Sequence, residues 1–286
     1  MRLDKPLWTG SRLAIVAVAA VAVFSMATPG YAAKKLFRKT RQVAVVTEAK
    51  IAGGESVEKT LDDAIEYARK SREKLDAVKD YTAVFTKSEL VDNHVVEQTM
   101  DIKCRHKPFS VYLHFRAGKE EGREVIYVAG SHDGCLVVHE QGLLGSLAGT
   151  QKLKLDDSTV KAENRYPITE IGIAKIIDKS LSIWQAEKKN GGAKASVRFT
   201  TNTKVDSSIC DIIEVEHGNG SSGFSRSRVF FDHETMLPIR VERFGTADKK
   251  GGKPELVEMY DYRDLKVNVG LNDADFDPAN PRYTFK

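Results

Sequence analysis

The run of alternating apolar residues between His94 and Glu140 limits what this chain can fold into. Phe109, Val111, Leu113 and Phe115 alternate with Ser110, Tyr112, His114 and Arg116. That period of two puts one side of a strand in a core and the other toward water. Arg123 to Ala129 repeats the alternation, and Gly130-Ser131-His132-Asp133-Gly134, rich in residues that tolerate positive φ, turns the chain into Cys135 to Glu140. Upstream, Tyr81 to Val91 and His94 to His106 flank Asp92-Asn93, a pair suited to a hairpin turn. Lys107-Pro108 then breaks the ladder, because proline has no amide hydrogen. The second half returns to strands over Ala195 to Thr200, Ile209 to Glu216, Arg226 to Asp232, Leu237 to Phe244 and Glu255 to Tyr262. The short glycine-containing loops between several of these suit antiparallel connections. A parallel sheet needs a helix between each strand pair, which excludes most nucleotide-binding α/β folds.

Two stretches have helical period. From Ser56 to Lys79, the residues Val57, Leu61, Ala64, Ile65, Ala68, Leu75 and Val78 form an apolar stripe, and charged residues cover the rest of the circumference. From Pro167 to Gln185, Ile173, Ile177, Leu181 and Trp184 share a side, with proline near the first turn. Such helices must lay one face on something apolar, and the sheet is the candidate. Between Gly142 and Gly149, Leu143, Leu144 and Leu147 form an apolar loop with two readings: part of the core, or a flap over a hydrophobic cleft.

The N-terminus has a basic start, an apolar run from Leu13 to Phe24 and small residues after it, the three parts of a secretory signal ending near Ala27, Ala32 or Ala33. The basic cluster Lys34, Lys35, Arg38, Lys39 and Arg41 opposes clean translocation, so a retained N-terminal anchor is the alternative. The expected organisation is a signal or anchor over residues 1–33, a basic linker over 34–54 and one domain over 55–286. Net charge is +4, and removing residues 1–33, with three basic and one acidic residue, leaves +2. That is too little to argue for nucleic acid. Cys104, Cys135 and Cys210 cannot all pair within one chain and have no metal-ligand spacing, so structural or unpaired roles are expected.

Motifs for chemistry are missing. The sequence has no phosphate-binding glycine loop, no G-x-S-x-G elbow and no H-E-x-x-H: His139-Glu140 continues into Gln-Gly-Leu. His106, His114, His132 and Asp133 are close in sequence, but they alternate on a strand or sit in a turn, and surface roles account for them. No catalytic residue, metal site or cofactor is therefore assigned.

The order of elements is more specific. A helix leads into Tyr81-Thr82-Ala83-Val84-Phe85, a hairpin, Lys107-Pro108-Phe109, Val125-Ile126-Tyr127-Val128 and the turn Asp133-Gly134. Much later come Phe231-Asp232-His233-Glu234-Thr235-Met236-Leu237-Pro238 and Tyr260-Asp261-Tyr262, continuing to Phe276. From Leu61 to Phe276 this resembles the outer-membrane lipoprotein carrier (LolA-like) superfamily. Arg165-Tyr166-Pro167-Ile168-Thr169-Glu170-Ile171-Gly172 resembles, within it, an uncharacterised bacterial family. The resemblance implies an α+β fold: a strongly bent antiparallel sheet, an unclosed barrel, with helices over its concave apolar face.

Three functional expectations follow. The first is a non-enzymatic, exported or periplasmic envelope protein that binds a lipid, an acyl chain or a lipoprotein in that concavity. Its candidate lining is Phe109, Val111, Leu113, Phe115, Val229, Phe231 and Val257, with Leu143, Leu144 and Leu147 as the flap. The second is an envelope module that binds a protein partner, and the third a metal-dependent hydrolase. Oligomeric state is left open.

Overall fold

The computed structural model describes residues 48–142, 149–191, 195–218, 223–245 and 255–285. The expected signal or anchor, the linker up to residue 47 and the flap leucines Leu143, Leu144 and Leu147 lie outside the described residues.

Thirteen strands form one antiparallel sheet: β1 (Ile51–Ala52), β2 (Glu55–Lys59), β3 (Asp80–Val91), β4 (His94–Arg105), β5 (Ser110–Phe115), β6 (Glu124–Val128), β7 (Leu136–His139), β8 (Thr150–Leu153), β9 (Ser196–Val205), β10 (Ser208–Glu216), β11 (Arg226–Asp232), β12 (Pro238–Phe244) and β13 (Leu256–Val267). Their spatial order is β1, β9 to β13, then β3 to β8, with β2 also paired to β9. The C-terminal β13 thus closes onto β3, joining two antiparallel meanders. The outer edges at β1/β2 and β8 do not meet, so the sheet stays open. Register irregularities at Cys210/Ile212, Phe230/Phe231, Arg243/Phe244 and Arg263/Lys266 fall in the β9 to β13 half. Extra residues in one strand of a pair bend and twist it, which gives the sheet its concavity.

Among the described residues three α-helices accompany it: α1 (Leu61–Asp76), α2 (Ser158–Glu163) and α3 (Ile173–Lys189). The apolar stripe predicts a helix from Ser56, but Glu55–Lys59 is an edge strand on β9 and Val57 is 46% exposed. Thr60 sets the boundary. Its hydroxyl accepts from the Asp63 amide at 3.2 Å, and the Asp63 carboxylate accepts from the Thr60 amide at 2.8 Å, a reciprocal cap that starts the helix at Leu61. The second helix starts later than Pro167, because Gly172 at φ 118 interrupts the chain. A short 3-10 turn, Ile168–Glu170, precedes it. Part of the expected linker also belongs to the sheet: Ala52 pairs with Lys204, and the Ala49 amide donates to Glu242 Oε1 at 2.7 Å.

The inner face carries the main core. Leu61, Ile65 and Leu75 of α1 and Ile173, Ile177 and Trp184 of α3 pack with strand residues that include Phe85, Ile102, Val215 and Val229. Tyr67 anchors α1 by an edge-on contact with Phe231 at 4.9 Å and a hydroxyl bond to Asp211 at 3.1 Å. The opposite face is covered too, by the C-terminal tail: Phe276, Tyr283 and Phe285 pack on Tyr112, Ile126 and Val137, with the Tyr112 and Tyr283 rings stacked at 4.2 Å. Cys104, Cys135 and Cys210 are unpaired, and burial pushes the Cys104 and Cys210 thiols up to about 12.

Trp184 is fully buried, whereas Val57 is exposed on an edge strand. Trp184→Ala should lower unfolding free energy by ~3 to 5 kcal/mol in a urea titration. Val57→Thr, a change of equal size in a surface strand, should move it by no more than about 0.5 kcal/mol.

Candidate functional site

A cavity of about 190 Å³ lies between the inner face of β3 to β8 and the chain running from α2 into α3. Its floor follows from the period of two: Phe85, Met100, Leu113, Phe115, Val125 and Val138 are the inward members of adjacent strands. Ile168, Ile171 and Ile176 form the facing wall. Two tyrosines set the height of that wall. Tyr262 accepts the Gly172 amide at 2.9 Å, and Tyr81 accepts the Ile173 amide at 3.3 Å, which occupies two of the amides that a helix start leaves unpaired.

One end of the cavity is charged. Along β3 the inward series runs Tyr81, Ala83, Phe85, Lys87 and Glu89, so the apolar face becomes ionic within the same strand. Lys87 Nζ donates to the Glu163 carbonyl at 2.8 Å and to the Asn164 side chain, and lies 3.3 Å from Glu89 Oε2; burial lowers its pKa against the pull of Glu89. Arg123 is ion-paired at 2.6 Å to both Glu140 and Glu163, and its guanidinium lies 5.2 Å from the centre of the Phe115 ring. Burial would raise the Glu163 carboxyl, but the Arg123 hydrogen bond and charge outweigh it and hold the pKa below 4.5.

The densest charge surrounds Glu258, which is 0% exposed. It accepts from Arg243 Nη1 at 2.6 Å and from the Tyr166 hydroxyl at 2.7 Å, with Arg165 Nε at 3.1 Å and Lys179 Nζ at 3.7 Å. Burial raises this carboxyl, and Arg243, Lys179 and Tyr166 together hold it below 4.5. Lys179 is shifted down to about 8, first by burial, with the pull of Glu258 opposing and the repulsion of Arg243 and Arg165 adding to the shift. Its Nζ sits 3.5 Å from the centre of the Tyr166 ring.

The residues expected to line a ligand site are placed as follows. Leu113 and Phe115 line the cavity. Phe109 lines a separate cleft with Val78 and His106, while Val111, Val229 and Phe231 are fully buried in the core and Val257 is half-buried. Sequence reading missed the charged rim. Its signal was available in the inward members of β3 and in Glu258, Tyr260 and Tyr262 of β13, where an alternating set that should be apolar carries charge or hydroxyl.

Among the described residues no three His, Cys, Asp or Glu side chains gather as a metal site. His114 lies beside Asp101 at 3.7 Å, and Asp133 beside Lys152 at 3.4 Å. One constellation has the order of a hydrolytic triad: His217 Nδ1 is 2.5 Å from Glu187 Oε2, and its Nε2 is 3.0 Å from Ser227 Oγ. The His217 side chain is 0% exposed and Ser227 only 3% exposed. A nucleophile needs an open face toward its substrate. Here the three residues tie the end of α3 to β11 and the end of β10.

A bent, open antiparallel sheet with helices on its concave face and an amphipathic cavity beneath them defines this class of protein. The family model described as a protein of unknown function (DUF1571) matches residues 78–285, and the chain belongs to that family. Solved structures similar to it include the Mycobacterium tuberculosis lipoprotein LppX (11% identity, 76% of this chain and 99% of that one, TM-score 0.44). A putative outer membrane lipoprotein-sorting protein domain from Vibrio parahaemolyticus (12%, 76% and 97%, 0.36) is another. A LolA superfamily protein from Nitrosomonas europaea (13%, 77% and 98%, 0.29) is a third. No curated protein matches the sequence.

Glu258→Gln leaves Arg243 buried without its counter-charge and should cost ~3 to 5 kcal/mol at pH 7 by chemical denaturation. Because the folded-state pKa values of Glu258 and Glu163 lie below 4.5, their contribution is complete above 4.5 and lost as pH falls through the folded values. Unfolding free energy should therefore decline below pH 4.5, and less steeply in Glu163→Gln.

Proposed function

We propose that this chain is a non-enzymatic protein of the cell envelope that holds an acyl chain, free or carried by a lipidated partner, in the cavity between β3 to β8 and α3. The observation that carries this reading is a cavity of about 190 Å³ with an apolar floor. Burial of apolar surface is worth ~25 cal/mol per Å², and interiors pack to crystal density, so a core free to collapse fills such a space. Here the pinned start of α3 and the ion pairs of the rim keep wall and floor apart. A dry apolar cavity of ~150 Å³ takes a molecule the size of benzene. At about 190 Å³ this one takes part of one chain, not a bundle of several. The basic start and apolar run before Phe24 support export, and among the described residues no helix is long and apolar enough to cross a membrane.

Native mass spectrometry after gentle purification, followed by lipid extraction, should show an adduct with the mass of one lipid. Leu113→Trp and Leu136→Trp, each pushing an indole into the cavity, should remove it. Overpacking costs ~1 to 3 kcal/mol, so melting curves should confirm that both variants remain folded. Protein that carries no lipid and takes up no fluorescent fatty acid would count against the reading.

A further inference from the structure

Three cations converge on one carboxylate beside the cavity. Arg243, Arg165 and Lys179 all lie within 3.7 Å of Glu258. The next acid along the rim, Glu89, is already engaged by Lys87 at 3.3 Å and by the amide of Arg165 at 3.0 Å. Among the described residues Glu258 and its three cations therefore carry a formal surplus of two positive charges, and of the three cations Arg243 is the buried one. Arg243 is 1% exposed and lines the cavity, and its buried Nε has no hydrogen-bond partner among the described residues. Lys179 also lines the cavity, and its side chain is 31% exposed, so an arriving ligand can reach the ammonium.

We propose that Lys179 and Arg243, backed by Arg165, form an anion-binding subsite that takes the carboxylate or phosphate head of the amphiphile whose acyl chain fills the cavity. This rests on the cavity reading above and names its ligand class. Buried excess charge is costly until paired, and a charge-assisted hydrogen bond to a carboxylate or phosphate is the strong kind. The apolar floor beside the cluster supplies the tail contact, so head and tail are recognised at opposite ends of one space. A sterol or an uncharged wax would leave the surplus unpaired.

Protonation gives the subsite a signature. The groups facing Lys179 are Glu258 from β13, Arg243 from β12, and Arg165 and Tyr166 from the segment before α3, with the Phe224 ring 5.9 Å away. Lys179 is shifted down to about 8 by burial, so it loses charge as pH rises through that value. An anion beside it favours the charged form and draws a proton back.

The test titrates the full chain with dodecanoate, dodecyl phosphate and methyl dodecanoate by displacement of a fluorescent fatty acid. Both anions should bind about tenfold or more tightly than the ester at pH 7, and the ranking of the two identifies the head. Affinity for dodecanoate should fall several-fold between pH 7 and pH 9, while that for the ester stays flat. Lys179→Met should cost dodecanoate about tenfold, leave the ester within twofold and abolish the pH step. Lys179→Arg should restore the affinity without restoring the step, which separates a charge role from a folding defect. Equal binding of dodecanoate and its ester, with the same pH profile, would overturn the subsite and leave the cavity reading standing. Binding of none of the three would overturn both.

Discussion

The hydrogen bonds from Gly172 and Ile173 to the hydroxyls of Tyr262 and Tyr81 fix where α3 begins above the sheet. A helix start has amides that its own turn cannot use, and a buried start must find acceptors elsewhere. Here they are phenols standing on adjacent strands, and Tyr262 is braced by the Phe85 ring stacked 4.7 Å away. Gly172 is needed for this. It sits at φ 118, and a Cβ there would lie 3.0 Å from the Tyr81 hydroxyl. At its other end α3 is tied through Glu187 to His217 and Ser227, and through Lys188 to Asp62 of α1. Held at both ends, the helix packs Ile173, Ile177 and Trp184 into the core, while Ile176 and Lys179 of the same helix border the cavity.

The ionic rim is hard to explain as a stabilising device. Taking Arg243 and Glu258 out of water costs several kcal/mol per ion, and a well-packed apolar replacement for such a pair is commonly as stable or more so. Arg243 lines the cavity, and Glu258 lies behind it at 2.6 Å. Elsewhere on the sheet the inward members are apolar, as in Met100, Ile102 and Cys104 of β4. The proposed pairing with an anionic ligand head would account for that placement.

The strands, their antiparallel order and the presence of covering helices were legible in the sequence, because period-two alternation and turn residues report directly on a half-buried sheet. Helix boundaries were less so. The stripe beginning at Val57 runs continuously into α1, and only the Thr60 and Asp63 cap marks where strand becomes helix. The lining of the cavity was legible in part: alternation placed Leu113 and Phe115 on one face, and both reach it. It could not tell a strand position under the cavity from one under packed helix. Phe231 has the same pattern but meets Tyr67 of α1, and Val229 is sealed in the core. That distinction depends on where α1 and α3 end, which is set by residues far away in the chain. The charged rim arises in the same way, from Lys87, Arg123, Arg165, Lys179, Arg243 and Glu258 on six separate segments.

The two faces of the sheet constrain one another. On the outside the Thr284 amide donates to Glu124 at 2.6 Å, and Lys103 pairs with Asp275 at 2.8 Å, fastening the C-terminal tail to the strands whose other side chains form the cavity floor. The floor is thus clamped from behind and the α3 wall is pinned at both ends. α2 is different: it is six residues long and has no buried residue. What fixes it are the contacts of its last residue and the next, Arg123 to Glu163 and Lys87 to the Glu163 carbonyl and Asn164. An element with few buried contacts opens at lower free energy than the core around it. The rim charges of β3 and the β6 end therefore also hold shut the side of the cavity that has the least apolar packing to keep it closed.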